Sequence, residues 1–456
     1  MPNDNTDDSD LVEWDDEPAA QDDDDSALET EVAGFTTTTE VAELADGTGH
    51  VILSGPGAGT TVAQAPDGLT RAEFPIRGRD AALTSGSPLF LVHFPHQKRD
   101  LMPRLLASVV AATRGKVSTA AAVALPRGTD TALTGWMDSC PAASVRIADP
   151  LGYMLDPTIV RIPETSDRAL GWRPYLGEDT IDAAALVDMQ RQVGANLLLS
   201  SGRALDSAEP QEALNGAFSE GDDALAALEA DERLALNLTL TASWLSNATL
   251  RDKLFSQLLD QEQFDTWHIR VQWQSSLRSF HQPTDIALLA GYKRLAQLAK
   301  DEGRTLLLPQ TGLTGWLQLA FGATGYGAGL FGSGHAFKEH SRGGNGAIPE
   351  VERYFEPTLL HIVERAVHDA MRARPDYVRC DCPYCPALHA RPDWDHTLAH
   401  LHMLHWVGRL GGITSPSRPI ERAIRQSVRD AVRTADGEPL AGVNVPRHLP
   451  VWDQLL

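Results

Sequence analysis

Trp267-His-Ile-Arg-Val-Gln-Trp273, then Asp285-Ile-Ala-Leu-Leu-Ala-Gly-Tyr-Lys-Arg-Leu-Ala-Gln-Leu-Ala-Lys-Asp301, then Thr305-Leu-Leu-Leu308 are the stretches that decide the fold. The outer two are short apolar runs. The middle one places Ile286, Leu289, Tyr292, Leu295 and Leu298 at helical spacing. Two strands joined by a connection of helix length make the unit of a parallel sheet. The same alternation recurs on both sides. Strands are predicted over Leu89 to Phe94, Ser144 to Ala148, Ala195 to Ser200, Leu234 to Thr241, Gly327 to Phe331 and Tyr377 to Arg379, making eight in all. Helices are predicted over Leu101 to Thr113, Ala183 to Val193, Leu250 to Gln261 and Val351 to Ala373. Eight such repeats close most simply into a (β/α)8 TIM barrel across residues 71–379, with any active site at the C-terminal strand ends. The polar interval from Ser200 to Gly221 reads as an excursion over that face, either a lid or a plain surface loop.

Composition fits a large folded unit with an unusual beginning. The chain has 456 residues, 42% of them hydrophobic, and a formal charge of -23. Residues 1–70 carry 18 of the acidic side chains, and the first Lys or Arg is Arg71. The remainder holds 44 acidic against 39 basic residues, a net of -5. Residues 1–70 therefore read as a disordered acidic leader, a solubilising tail or a cover for a basic surface of the same chain. No apolar stretch approaches the length of a membrane span, and clustered cysteines at metal spacing argue for a reducing compartment, so a cytoplasmic protein is expected. No Walker loop, HExxH, GxSxG or convincing dinucleotide fingerprint is present.

Three of the four cysteines form Cys380-Asp-Cys382-Pro-Tyr-Cys385, and His389, His396, His400, His402 and His405 follow. Three thiolates and one imidazole are a closed tetrahedral set for zinc, so one structural Zn2+ per chain is expected in a zinc-binding unit at residues 380–415. Spacing leaves the histidine open among His389, His400, His402 and His405. Residues 416–456 form a C-terminal addition with a helix predicted from Ile420 to Ala435. Along that helix Arg418, Arg422, Arg425, Arg429 and Arg433 line one face, a stripe able to follow a phosphate backbone or, alternatively, to pair with Glu421 and Asp430 at the surface.

The order of barrel, Tyr377-Val-Arg-Cys-Asp-Cys-Pro-Tyr-Cys385 and a helix ending in Leu404-His405-Trp406 resembles the tRNA-guanine transglycosylases, including the relatives that insert 7-deazaguanine bases into DNA. That resemblance implies a structural zinc on Cys380, Cys382, Cys385 and His405, with His402 as the alternative. It extends to Pro309–Gly334, similar to the family's strand, helix and strand ending in Phe-Asp-Ser-Ala, and to Ile147-Ala-Asp-Pro-Leu-Gly-Tyr153, similar to its Asp-Ser-Gly-Gly-Phe loop. By the same comparison Asp149 is a general base or base-recognising residue, or else an Asp that caps its own turn, while Arg203 and Gln274 fall where substrate contacts occur. Gly332 stands where the family has its nucleophilic Asp, so covalent base exchange cannot run there. A substitute would have to come from Asp149, Asp206, Glu339 or an activated water. Trp273 replaces a pocket glycine and should narrow the site. The implied function is binding of tRNA or DNA, or chemistry at a guanine-type base, by a glycosyltransferase-like protein of the queuine class. The alternative is a non-catalytic accessory subunit paired with an active homologue, and a homodimer or heterodimer is the implied assembly.

Overall fold

The computed structural model describes residues 38–43, 49–54, 63–64, 70–94, 98–155, 181–274, 282–330, 332–337, 351–413 and 418–456. Within the segment expected to be disordered, the backbone forms an antiparallel sheet of β1 (Thr38–Glu43), β2 (Gly49–Ser54), β3 (Ala63–Gln64) and β4 (Thr70–Ile76), in the order β1-β2-β4-β3. The first three of these strands account for residues 38–43, 49–54 and 63–64 of the acidic segment. Residues 1–37 lie outside the described residues.

Eight parallel strands follow: β5 (Leu89–His93), β6 (Ser118–Ala124), β7 (Ala143–Asp149), β8 (Leu198–Leu199), β9 (Leu234–Thr241), β10 (Thr266–Gln272), β11 (Thr305–Leu308) and β12 (Gly325–Gly329). Each pairs with its sequence neighbour except β7 and β8, which end the ladder, and β12 returns to β5, with Gly327 opposite Leu91. Where β7 meets β8, the Asn196 and Leu197 amides donate to the Arg146 carbonyl at 3.0 and 3.2 Å. The result is a nearly closed TIM barrel. Its outer helices start where the sequence supplies caps: Thr129, Asp182, Asn247 and Asp285 side chains each accept from a backbone N–H of the first turn that has no helical partner.

Two strand assignments change. Tyr377–Arg379 is not a strand, and Val378 there is 82% exposed. The missing barrel strand is β6, Ser-Thr-Ala-Ala-Ala-Val-Ala, whose alanines favour helix and gave no strand signal. Every strand after β5 therefore stands one place later in the barrel than the sequence count put it. Val351–Ala373 is not one helix but a hairpin, β13 (Arg353–Glu356) with β14 (His361–Glu364), followed by the helix Arg365–Arg372. The polar interval after Ser200 is largely the helix Pro210–Ala226, which buries Leu214 and Phe218 against the barrel. Its acidic residues mask that apolar pair in the sequence.

The eighth outer helix comes from an unexpected place. His396–Leu410 packs on β12 and on the helix Met102–Thr113, the Tyr326 hydroxyl donating to the Val407 carbonyl at 2.6 Å and the Trp316 indole N–H to the Leu410 carbonyl at 3.0 Å. The outer layer is thus completed by a helix from the segment read as the zinc unit. Inside the barrel, polarity changes along the axis. Leu89, Leu91, Val145, Ile147, Leu199 and Leu307 form an apolar floor with Ala82 and Leu83 of the helix Arg79–Thr84. Above it the inward positions become His93, Asp149, Asn237, Thr239, His268, Arg270 and Gln272.

Candidate metal centre and barrel mouth

The cysteine loop turns tightly enough to bring its sulfurs to one point. The Cys382 amide donates to Cys380 Sγ at 3.4 Å and the Cys385 amide to Cys382 Sγ at 3.3 Å. The helix His396–Leu410, capped by Asp395, then delivers one imidazole. That imidazole is His402. Its Nδ1 lies 3.6, 3.3 and 3.1 Å from the sulfurs of Cys380, Cys382 and Cys385, and all four ligand atoms lie within 4.8 Å of one another. Tetrahedral zinc with bonds of roughly 2.3 Å to sulfur and 2.0–2.1 Å to nitrogen would separate S and N by about 3.5 Å, so the group fits one zinc ion. Four protein ligands leave no open position for a reacting water, which makes the site structural. The second nitrogen of His402 is 2.8 Å from the Phe355 carbonyl, so Nε2 carries the proton and Nδ1 is left to bind metal.

His405, the ligand implied by the family resemblance, is displaced from this role. Three residues along a helix leave two side chains about 60° apart around its axis, so His405 lies beside His402 but is aimed past the sulfurs. The Nδ1 of His405 instead meets Ser108 Oγ at 3.0 Å, and burial pushes its pKa down to about 3. His389 stacks on His368, and among the described residues no second group of three or more ligands converges. Cys140 stands apart in the core, its thiol pushed up to about 12 by burial.

At the other centre, Asp149 ends β7 and is 2% exposed, while Arg270 on β10 is fully buried. The Arg270 guanidinium donates to Asp149 Oδ2 and, through Nε, to Gln310 Oε1 at 2.7 Å. Its Cζ lies 4.8 and 5.5 Å from the ring centroids of Tyr153 and Phe337, which meet edge to face. Burial pushes the Asp149 carboxyl up, but the Arg270 guanidinium, with the Leu151 amide, outweighs it and holds the group below the usual carboxylate range. Burial beside Arg270 pushes His93 down to about 4 and His268 down to about 3, so both rings are neutral at pH 7. The Asn237 amide N–H₂ donates to the Ser200 carbonyl, so its oxygen faces His268 Nδ1 at 2.8 Å. His268 Nδ1 therefore carries the proton, and its buried Nε2 is a lone pair without a partner among the described residues.

Backbone strain marks the same end of the barrel. Lys98, Leu151 and Gln310, in the segments after β5, β7 and β11, all hold left-handed φ values of 58, 51 and 50°. Such non-glycine conformations persist where the surroundings enforce them, often at functional sites. Two of the three serve the ion pair, since the Leu151 amide donates to Asp149 Oδ1 at 3.0 Å and Gln310 accepts from Arg270. Asp149 thus caps its own turn at the C-terminal end of β7.

The other named residues scatter. Arg203 Nε pairs with Glu220 at 2.7 Å, Gln274 is exposed, and Asp206 accepts from the Ala208 amide at 2.7 Å. Trp273 does not narrow the mouth: its ring turns outward to Tyr292, 6.4 Å away, because Arg270 and Gln272 take the inward positions of β10. Gly332 opens the short helix Gly332–His335, and Glu339 with the loop 338–346 lies outside the described residues. On the helix Ile420–Gly437, Arg425 pairs with Glu421 at 3.2 Å, Arg429 with Asp453 at 3.3 Å, and Arg433 with Asp430. Arg418 and Arg422 are exposed. The sequence reading missed Arg270 and His268 altogether. Their signal was the strict alternation in Trp267–Trp273, since a barrel strand apolar on both faces would not alternate.

The fold and the cluster together define a TIM barrel with a Cys3His site able to hold zinc. No family model and no curated protein matches the chain, so the transglycosylase resemblance rests on motifs alone. Among solved structures, triosephosphate isomerase from Bartonella henselae is similar at 13% identity, covering 53% of this chain and 92% of that one with a TM-score of 0.28. The barrel assignment stands on the strand order above. Among the described residues no helix is long and apolar enough to cross a membrane.

Proposed function

We propose that this chain is a transglycosylase-like zinc protein that binds tRNA or DNA and receives a guanine or 7-deazaguanine-type base at the barrel mouth, without covalent base exchange. The observation that carries the reading is Asp149, fixed at the end of β7 by Arg270 beneath Tyr153 and Phe337. A carboxylate at that strand end keeps further acceptor lone pairs for a base edge, with two largely buried rings packed beside its arginine. The arginines of Ile420–Gly437 supply phosphate contacts, their surface ion pairs being weak enough to exchange for phosphate.

Within this reading the accessory-subunit version is favoured by one specific feature. Asp149 is already committed to Arg270 and held below its ordinary range, which makes it a poor base, and Gly332 offers no nucleophile. Incubation of the chain with tRNA or duplex DNA and labelled guanine or 7-deazaguanine separates the versions. No incorporation together with salt-sensitive binding supports the accessory role, and incorporation supports an enzyme. Absence of nucleic-acid affinity at low salt overturns both.

A further inference from the structure

Two side chains outside the ligand set reach the sulfurs. The Tyr354 hydroxyl on β13 is 3.1 Å from Cys385 Sγ, and the Trp406 indole N–H points at Cys380 Sγ at 3.1 Å. Tyr354 is 1% exposed and sits between two imidazoles, its ring stacked on His402 at 4.2 Å and on His368 at 3.6 Å. The far side of that stack is fixed in turn by the buried Glu356 carboxylate, 3.2 Å from His368 Nδ1. Trp406 is one helical turn beyond His402, and the Arg409 guanidinium lies 4.4 Å over its ring.

We propose that Tyr354 and Trp406 are working parts of the metal centre, donating to the thiolates of Cys385 and Cys380 and so setting how firmly zinc is held and how unreactive the sulfurs are. Three thiolates around a divalent ion leave one excess negative charge in a largely buried place. Charge-assisted donors aimed at the sulfurs disperse it. Cys380 is the one ligand that is not buried, so it is the sulfur a reagent can reach, and the indole N–H lowers its reactivity there. Cys385 draws the same help from a hydroxyl that the stack prevents from turning away. Each ligand then has an outer partner: His402 has the Phe355 carbonyl, Cys382 the Cys385 amide, Cys380 the indole and Cys385 the phenol. This inference rests on the zinc reading of the cluster and adds to it residues that no ligand pattern would name.

The test uses the full chain loaded with zinc and, separately, with cobalt(II). Tyr354→Phe removes one hydroxyl and keeps the stacked ring; Trp406→Phe removes the indole N–H and keeps an apolar ring. Tyr377→Phe is the control, since it deletes a phenol from the same neighbourhood that bonds Glu356 and no sulfur. Zinc transfer to a chromogenic chelator and alkylation by iodoacetamide are expected to run about ten- to hundred-fold faster in the first two variants, in line with the loss of other outer partners of metal ligands. The sulfur-to-cobalt charge-transfer band is expected to shift to lower energy, with Tyr377→Phe unchanged on all three readings. Unaltered release and spectra in Tyr354→Phe and Trp406→Phe, or equal changes in Tyr377→Phe, overturn the proposal. A wild-type chain that takes up no zinc overturns the metal reading itself, which keeps the two failures apart.

Discussion

A three-residue step along one helix decides the metal site. His402 and His405 are both buried, and the family resemblance favoured the second, but only His402 Nδ1 lies among the three sulfurs. Zinc content by elemental analysis is therefore expected to stay at one per chain in His405→Ala and to be lost in His402→Ala, with the reverse pattern restoring the sequence-based choice. The cysteines were legible because spacing alone draws them together; the histidine was not, because the rotation of a helix about its axis is set by packing partners such as Ser108 and the Phe355 carbonyl. At the mouth, Arg270 and Asp149 are a buried pair whose single truncation strands a charge. Asp149→Ala or Arg270→Met is expected to cost about 3–5 kcal/mol in denaturant unfolding, and the double variant less than the sum. Simple additivity would show that the two do not depend on each other.

Elements were read well where one face decides and poorly where composition misleads. Ile286–Asp301 and Leu234–Thr241 match their predicted spans closely, since each carries a full period of apolar residues. Alanine-rich β6 and the hairpin β13–β14 did not, the latter because Arg353–Glu364 earns strand geometry only by pairing with itself and supporting the metal loop. The helix Ile420–Gly437 carries its own prediction. If its arginines follow a phosphate backbone, Arg422→Ala should weaken tRNA or DNA binding regardless of sequence and reduce the slope of log K against log salt by about 1. An unchanged slope would return this face to plain solvation. The hairpin carries another. Burial pushes His361 down to about 4, with its Nε2 on the Val443 carbonyl. An unfolded histidine titrates near 6.5, so the unfolded chain binds the extra proton first and stability falls as pH drops from about 6.5 toward 4, by up to ~1.4 kcal/mol per unit. His361→Gln should make that stretch of the stability curve less steep, the other buried histidines keeping the rest of the slope, and an identical curve would show the ring is not neutral when folded.

For the molecule as a whole, the barrel was foreseeable from the count of eight, although one strand in that count was wrong and another was missed. What no local reading could supply is that the helix bearing His402 is also the one that packs on β12 and, through Gly408, against Phe90 of β5. Removal of zinc by a chelator is accordingly expected to raise amide exchange in His396–Leu410 and in β5 and β12, while β9 and β10 across the barrel stay protected. Uniform protection would separate the ion from the architecture. The seat of that helix is Gly408: a methyl group there would meet Phe90 and Val109 at 2.7 and 2.8 Å. A mutation that merely thickens the chain at this spot would tilt the imidazole away from its three sulfurs, so poor zinc uptake can begin with a residue that never comes near the ion.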